Sequence, residues 1–347
     1  MVKPSVFSLS PYEAKEVPCR IKLDANESPY GVSPKVLSGI KSHSGTSIFA
    51  TLNRYPDPQA RKLISAVARY FGANPLNILH GNGSDELIYY LITTFGGPVL
   101  YPVPTFSMYG IISRALGEEE IEVPLDQEFD LDLPAMLRAA RKHKPRLIFL
   151  SSPNNPTGNC FASEKVLRVI EASAGRSVVV VDEAYHAFAG KKGILPMCDD
   201  YENLVVLRTL SKIGLAGLRI GFMIAQQEIK TEVNKVRLPF NLNSFSQSIA
   251  VEVLKDRKTL RAHIQGIVAE RDLLFREMQK INGIVPYPSE ANFILFRTGN
   301  PERLFKGLLG DGILVKNMKG LVPGCLRVTI GRPNENKMFL CALRKRA

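Results

Sequence analysis

Short apolar runs alternate along the chain with longer stretches whose apolar residues recur every three to four positions. The runs fall at residues 78–80, 99–101, 146–151, 178–182, 204–208 and 220–224. Several have no polar face, which predicts strands covered on both sides, as in a parallel sheet. Residues 59–71, 84–95 and 164–172 have amphipathic helical spacing and predict crossover helices. After about residue 239 the rhythm changes. Helical patterns at 246–254 and 260–281 are followed by strand-like pieces at 292–296, 313–315 and 326–330, with helices near 301–309 and 335–344. The pattern predicts an α/β domain over residues 36–240 and a smaller α+β domain over 241–347. The irregular amino-terminal arm, 1–35, is expected to pack against the smaller domain.

Composition adds little to this picture and removes several alternatives. A chain of 347 residues with 45% hydrophobic content can build two cores without covalent staples. Its five cysteines, Cys19, Cys160, Cys198, Cys325 and Cys341, are odd in number and scattered. That pattern excludes a zinc ribbon or a paired redox motif and fits a reducing cytoplasm. The amino terminus is too polar for a secretory signal, and no apolar run is long enough to span a membrane. Neither a histidine cluster nor any other metal-binding pattern is present. The net charge of +12 is spread along the chain. Such a spread suits the steering of small anions better than a nucleic-acid surface.

Four segments at strand ends carry the candidate chemistry. Lys212 follows the run at 204–208 and is flanked by Ser211 and by Gly214-Leu215-Ala216-Gly217-Leu218-Arg219. Gly81-Asn82-Gly83-Ser84-Asp85 joins a strand to a helix, where free amides and the positive end of the helix dipole favour a phosphate. Read alone, the same segment is an ordinary helix start capped by Ser84 or Asp85. Asp182 ends a valine-rich strand, the position from which parallel sheets present side chains to a ligand. Asn155, in Asn154-Asn155-Pro156-Thr157-Gly158, follows another such strand.

Taken together, N-P-T-G, D-E-A-Y and S-K-x-x-x-x-G-x-R occur in the order and at the intervals of the fold-type-I pyridoxal-phosphate enzymes, which the chain resembles over nearly its whole length. The resemblance implies a large domain with a mostly parallel seven-stranded sheet and a smaller α+β domain. It implies that Lys212 forms the Schiff base with the cofactor and shuttles the substrate proton, and that Asp182 pairs with the pyridine nitrogen. Asn155 and Tyr185 are then the partners of the phenolic oxygen. Gly83, Ser84, Asp85, Ser211 and Arg219 hold the phosphate, and Phe106 stacks on the ring.

Within that group, the segments at residues 23–31, 53–57 and 325–331 resemble the signatures of histidinol-phosphate aminotransferases. This implies a cytoplasmic homodimer in which Tyr55 reaches the phosphate of the other subunit. Arg327 and Lys316 would face the anionic end of the substrate, and Tyr12, Asn26, Tyr55 and Asn155 would complete its site. Lys316 stands where the family usually has arginine, and Phe106 where many relatives have tyrosine. Lys212 and Arg219 are one residue closer than is usual, as in one branch of that family. The implied reaction exchanges an amino group between L-histidinol phosphate and 2-oxoglutarate, giving L-glutamate. The alternatives on the same scaffold are an aromatic-amino-acid aminotransferase, a threonine-phosphate decarboxylase and a non-catalytic regulator.

Overall fold

The computed structural model describes residues 2–7, 9, 17–39 and 52–347. Its strands fall into two sheets. The larger contains β2 (Ile78–Asn82), β3 (Val99–Val103), β4 (Glu120–Pro124), β5 (Leu147–Ser151), β6 (Val178–Asp182), β7 (Leu204–Thr209) and β8 (Ile220–Ala225). Their order is β2-β8-β7-β6-β5-β3-β4. Neighbours from β7 to β4 pair in parallel, while β8 runs antiparallel to both β7 and β2. This is the mostly parallel seven-stranded sheet implied by the resemblance.

Helices cover both faces of this sheet, which is why its central strands have no polar side. Along β5 and β6, Ile148, Leu150, Val179 and Val181 enter one core with the helices Arg61–Phe71 and Ser163–Ser173. The alternate residues Leu147, Phe149 and Val180 enter the other core, with the helices Ser84–Phe95, Met108–Leu116 and Gln227–Val236. Period-two geometry thus divides one apolar run between two cores.

The second sheet has the order β1-β11-β12-β10-β9. It contains β1 (Ile21–Leu23), β9 (Ile284–Pro286), β10 (Phe293–Thr298), β11 (Ile313–Asn317) and β12 (Cys325–Thr329). β1 lies parallel to β11, with Ile21 opposite Ile313 and Leu23 opposite Val315. The amino-terminal segment is therefore the edge strand of a carboxyl-terminal sheet, and residues 24–26 are carried towards the end of the larger one. Buried Arg271, from the helix Arg257–Gln279, joins the two parts by donating to the Phe188 carbonyl at 3.0 Å and the Ala291 carbonyl at 3.2 Å. Among the described residues, no helix is long and apolar enough to cross a membrane.

Candidate active site

A cavity of about 510 Å³ opens beyond the carboxyl ends of β5, β6 and β7, where parallel sheets bind ligands. Nine of the residues singled out in the sequence have the following places. Ser84, Asp85, Phe106, Asn155, Asp182, Tyr185, Ser211, Lys212 and Arg219 all line it. Gly83 stands immediately behind Ser84 as the residue before the helix. Lys212 lies on the short turn Ser211–Ile213 just after β7, with its Nζ 5.4 Å from the centre of the Tyr185 ring. Thr209, at the end of β7, accepts the Ser211 N–H at 3.1 Å and fixes where that turn begins.

The helix Ser84–Phe95 starts from Gly83 at φ 87° and has no side-chain cap. Neither Ser84 nor Asp85 caps it, so the ordinary capped-helix alternative does not describe this segment. The first amides of a helix lack intrahelical partners, so here they remain available to an anion. Arg219 approaches the same point, and a Cβ on Gly83 would lie 2.7 Å from its Nη2. On β8, a Cβ on Gly221 would meet the Gly83 and Ser84 backbone at 2.5 Å, so only glycine permits this close approach. Arg219 is in the left-handed region at φ 53° and pairs with Asp85 at 3.4 Å. Half-exposed ion pairs of this kind are weak, so the guanidinium can be ceded to a dianion. Uncapped amides, one arginine and the Ser84 and Ser211 hydroxyls form a donor set suited to a phosphate.

Asp182 lies at the deep end, 3% exposed. Its carboxyl oxygens accept from Tyr109 Oη at 2.8 Å and from the Ala184 N–H at 3.1 Å, both neutral donors. Burial pushes the carboxyl up from 3.8 to about 6, against the opposing effect of these bonds. A buried carboxyl with only neutral hydrogen-bond donors, facing a cavity, calls for a cationic group on the ligand. A flat protonated heteroaromatic ring meets that need, and a phosphate at its other end meets the helix start. Tyr109 was not among the expected site residues. It stacks on Phe149 at 4.7 Å and meets Phe106 edge-on at 5.7 Å. Its place three residues after Phe106 in the sequence was the available signal. Burial, followed by the charge of Asp182, holds the Tyr109 phenol well above its usual range.

Arg327 does not itself line the cavity but connects Asn155, on its wall, to the second sheet. Arg327 on β12 donates to the Asp24 carbonyl at 2.8 Å and to Asn155 Oδ1, with its guanidinium 5.1 Å from the Phe293 ring centre. Lys316 is directly opposite Arg327 in the β11–β12 ladder, so both side chains project from the same face. Lys316 is exposed and does not line the cavity. Asn26 is 1% exposed and also stands outside the lining. Its amide donates to Tyr185 Oη at 3.0 Å, its N–H to Thr329 Oγ1 at 2.9 Å, and its carbonyl accepts from Asn292 at 3.0 Å. Tyr55 is 81% exposed, stacked on Phe240 at 4.5 Å and absent from this cavity. Tyr12 lies outside the described residues. Among those described, no group of three or more His, Cys, Asp or Glu side chains could hold a metal ion.

Comparison with known proteins agrees with this geometry. The family model for aminotransferase class I and II matches residues 20–343. The histidinol-phosphate aminotransferase of Caldanaerobacter subterraneus subsp. tengcongensis is 42% identical over 99% of this chain and 98% of its own length. That of Aquifex aeolicus is 42% identical over 99% and 97%. The crystal structure of histidinol-phosphate aminotransferase from Sinorhizobium meliloti in complex with pyridoxal-5'-phosphate superposes with a TM-score of 0.87 at 25% identity. It covers 99% of this chain and 96% of its own. The chain belongs to the class I and II aminotransferases and, within them, to the histidinol-phosphate aminotransferase family.

Proposed function

We propose that the enzyme uses pyridoxal phosphate to transfer the amino group of L-histidinol phosphate to 2-oxoglutarate, giving imidazole-acetol phosphate and L-glutamate in histidine biosynthesis. The observation that carries this reading is one cavity holding Lys212, the buried carboxyl of Asp182 and an uncapped helix start. Relatives named for this activity match nearly the whole chain.

When bound, the cofactor supplies a ring that accepts the electrons released at the amino-bearing carbon. Asp182 holds the proton on the ring nitrogen. Asn155 and Tyr185 hold the phenolic oxygen, and Phe106 covers the ring face. The Ser84 and Asp85 amides, Ser211 and Arg219 hold the phosphate. Lys212 Nζ is the attachment point and the base that takes and returns the substrate proton. Arg327 grips an anionic end of the substrate with a planar fork, and Lys316 beside it adds a point charge. Asn26 acts behind Tyr185. Tyr12 closes over the substrate, and Tyr55 serves the phosphate of the partner subunit in a cytoplasmic homodimer.

The test compares histidinol phosphate, phenylalanine and threonine phosphate as substrates, with 2-oxoglutarate as acceptor. Histidinol phosphate is expected to have the highest kcat/KM. Preference for phenylalanine would replace the named substrate, and carbon dioxide release from threonine phosphate would replace the reaction. Lys212→Ala is expected to lose both turnover and the visible absorption of the lysine-linked cofactor. Normal turnover by that variant would remove Lys212 from its role.

A further inference from the structure

A second cavity, of about 860 Å³, lies among the edge strand β2, the helix Arg61–Phe71 and the helix Gln227–Val236. It shares no lining residue with the cavity around Lys212. Ile64, Leu76, Ile78 and Leu79 provide an apolar wall, while Arg61, Lys230 and Arg237 provide three cations. No aspartate or glutamate lines it.

The charge balance within this cavity is unusual. Arg61 already pairs with Asp57 at 3.0 Å. Arg237 is partly buried, and its hydrogen-bond partners are neutral. It donates to Asn234 Oδ1 at 2.9 Å and Asn241 Oδ1 at 3.2 Å, and its Nη1 is 3.4 Å from His80 Nε2. His80 is 3% exposed. Burial, and then the charge of Arg237, holds its imidazole at about 4, so it is neutral near pH 7. Burial also lowers the Arg237 guanidinium from its ordinary value, against the opposing effects of Tyr90 and of Glu86, which does not itself line the cavity. Among the described residues, Lys230 has no ion-pair partner. Lys230 and Arg237 are each partly buried, and an anionic ligand in the cavity would give both a partner of opposite charge.

We propose that this cavity is an anion-binding site separate from the active site, taking a small phosphate whose head meets Arg237 and Lys230. An organic phosphate monoester would lay its body on Leu76, Ile78 and Leu79, whereas inorganic phosphate would use the cations alone. The activity assigned above supplies no role for this site, so the site stands or falls independently of it.

The experiment titrates the cofactor-loaded enzyme calorimetrically with phenyl phosphate and, separately, with inorganic phosphate. Wild type is compared with Lys230→Gln and Arg237→Gln. Phosphate binding at the catalytic centre is common to all three proteins. The wild type should therefore show a further class of site that each variant weakens by about tenfold or more. Tighter binding of phenyl phosphate identifies an organic ester as the occupant, and equal binding identifies free phosphate. Lys230 lies on the outer helix, so Lys230→Gln keeps the test valid if Arg237→Gln melts early. Superimposable titrations of wild type and Lys230→Gln overturn the proposal. Conversion of Lys230→Gln to a smaller species on size exclusion also overturns it, because the cavity is then a subunit contact.

Discussion

Asp182 shows what a single residue can cost a fold in exchange for chemistry. Burial pushes its carboxyl from the ordinary 3.8 up to about 6 in the folded chain. As pH rises from below 4 through 6, the ionised side chain increasingly destabilises the cofactor-free protein, and above that range the penalty is complete. The shift corresponds to about 3 kcal/mol. Asp182→Asn should therefore raise the stability of the cofactor-free protein at pH 8 by about 1–3 kcal/mol, with the gain vanishing near pH 4. Urea unfolding at the two pH values measures this. The same variant should lose about 10²-fold or more in turnover. Asn26 presents a second case, since at φ 56° it is a non-glycine residue in the left-handed region and its polar groups are all engaged. Asn26→Ala should destabilise by about 1–3 kcal/mol. Asn26→Gly, which removes the backbone strain but not the lost hydrogen bonds, separates the two causes in thermal unfolding. Motif order identified nine of the residues that line the cavity, but not Ser151, Ala184 or Thr209. It could not identify Tyr109 as the donor to Asp182, or Asn26 as the donor to Tyr185, because those contacts join positions 73 and 159 residues apart.

At the scale of elements, the start of the helix Ser84–Phe95 is shaped by close backbone approach. Gly221 on β8 faces Gly81 on β2, and its missing side chain admits Gly83 and Ser84. Glu86 secures the turn by accepting the Asn82 N–H and the Asn241 amide, each at 2.6 Å. Gly221→Ala meets backbone, which cannot rotate away, whereas Gly83→Ala meets the end of a flexible arginine but is strained at φ 87°. Gly221→Ala is thus expected to lower the melting temperature more than Gly83→Ala. Gly83→Ala should mainly weaken cofactor binding, measured by equilibrium dialysis. The central strands were legible because burial on both faces leaves unbroken apolar runs. β4 lacks such a run because Glu120–Pro124 alternates charged and apolar residues, the pattern of an edge with one wet face. β1 and β9 are three residues each and exist through their partners, Ile313–Val315 and Phe296–Thr298. The antiparallel direction of β8 is likewise set by its neighbours and not by its own composition.

Across the whole molecule, the aromatic pair Tyr55 and Phe240 is the feature that the single chain leaves unexplained. Tyr55 is 81% exposed and Phe240 39%, with Leu238 nearby in sequence at 62%. Exposed aromatic and aliphatic side chains grouped in this way suit a subunit interface. If Tyr55 completes the partner's site, loss of function can be complemented between subunits. Lys212→Ala and Tyr55→Ala should each be impaired as homodimers. In a mixed dimer, the two lesions fall on one site and the other site is intact. Random reassortment of equal amounts should then recover about one quarter of wild-type sites. If Tyr55 served its own subunit, every site of the mixed dimer would carry one lesion and mixing would recover nothing. Unfolding and refolding the two variants together, followed by a turnover assay, distinguishes these outcomes. Full activity of the Tyr55→Ala homodimer would remove the tyrosine from the site altogether. Recovered activity would also explain why Tyr55 is absent from its own chain's cavity, since the residue would be placed by the symmetry of the dimer.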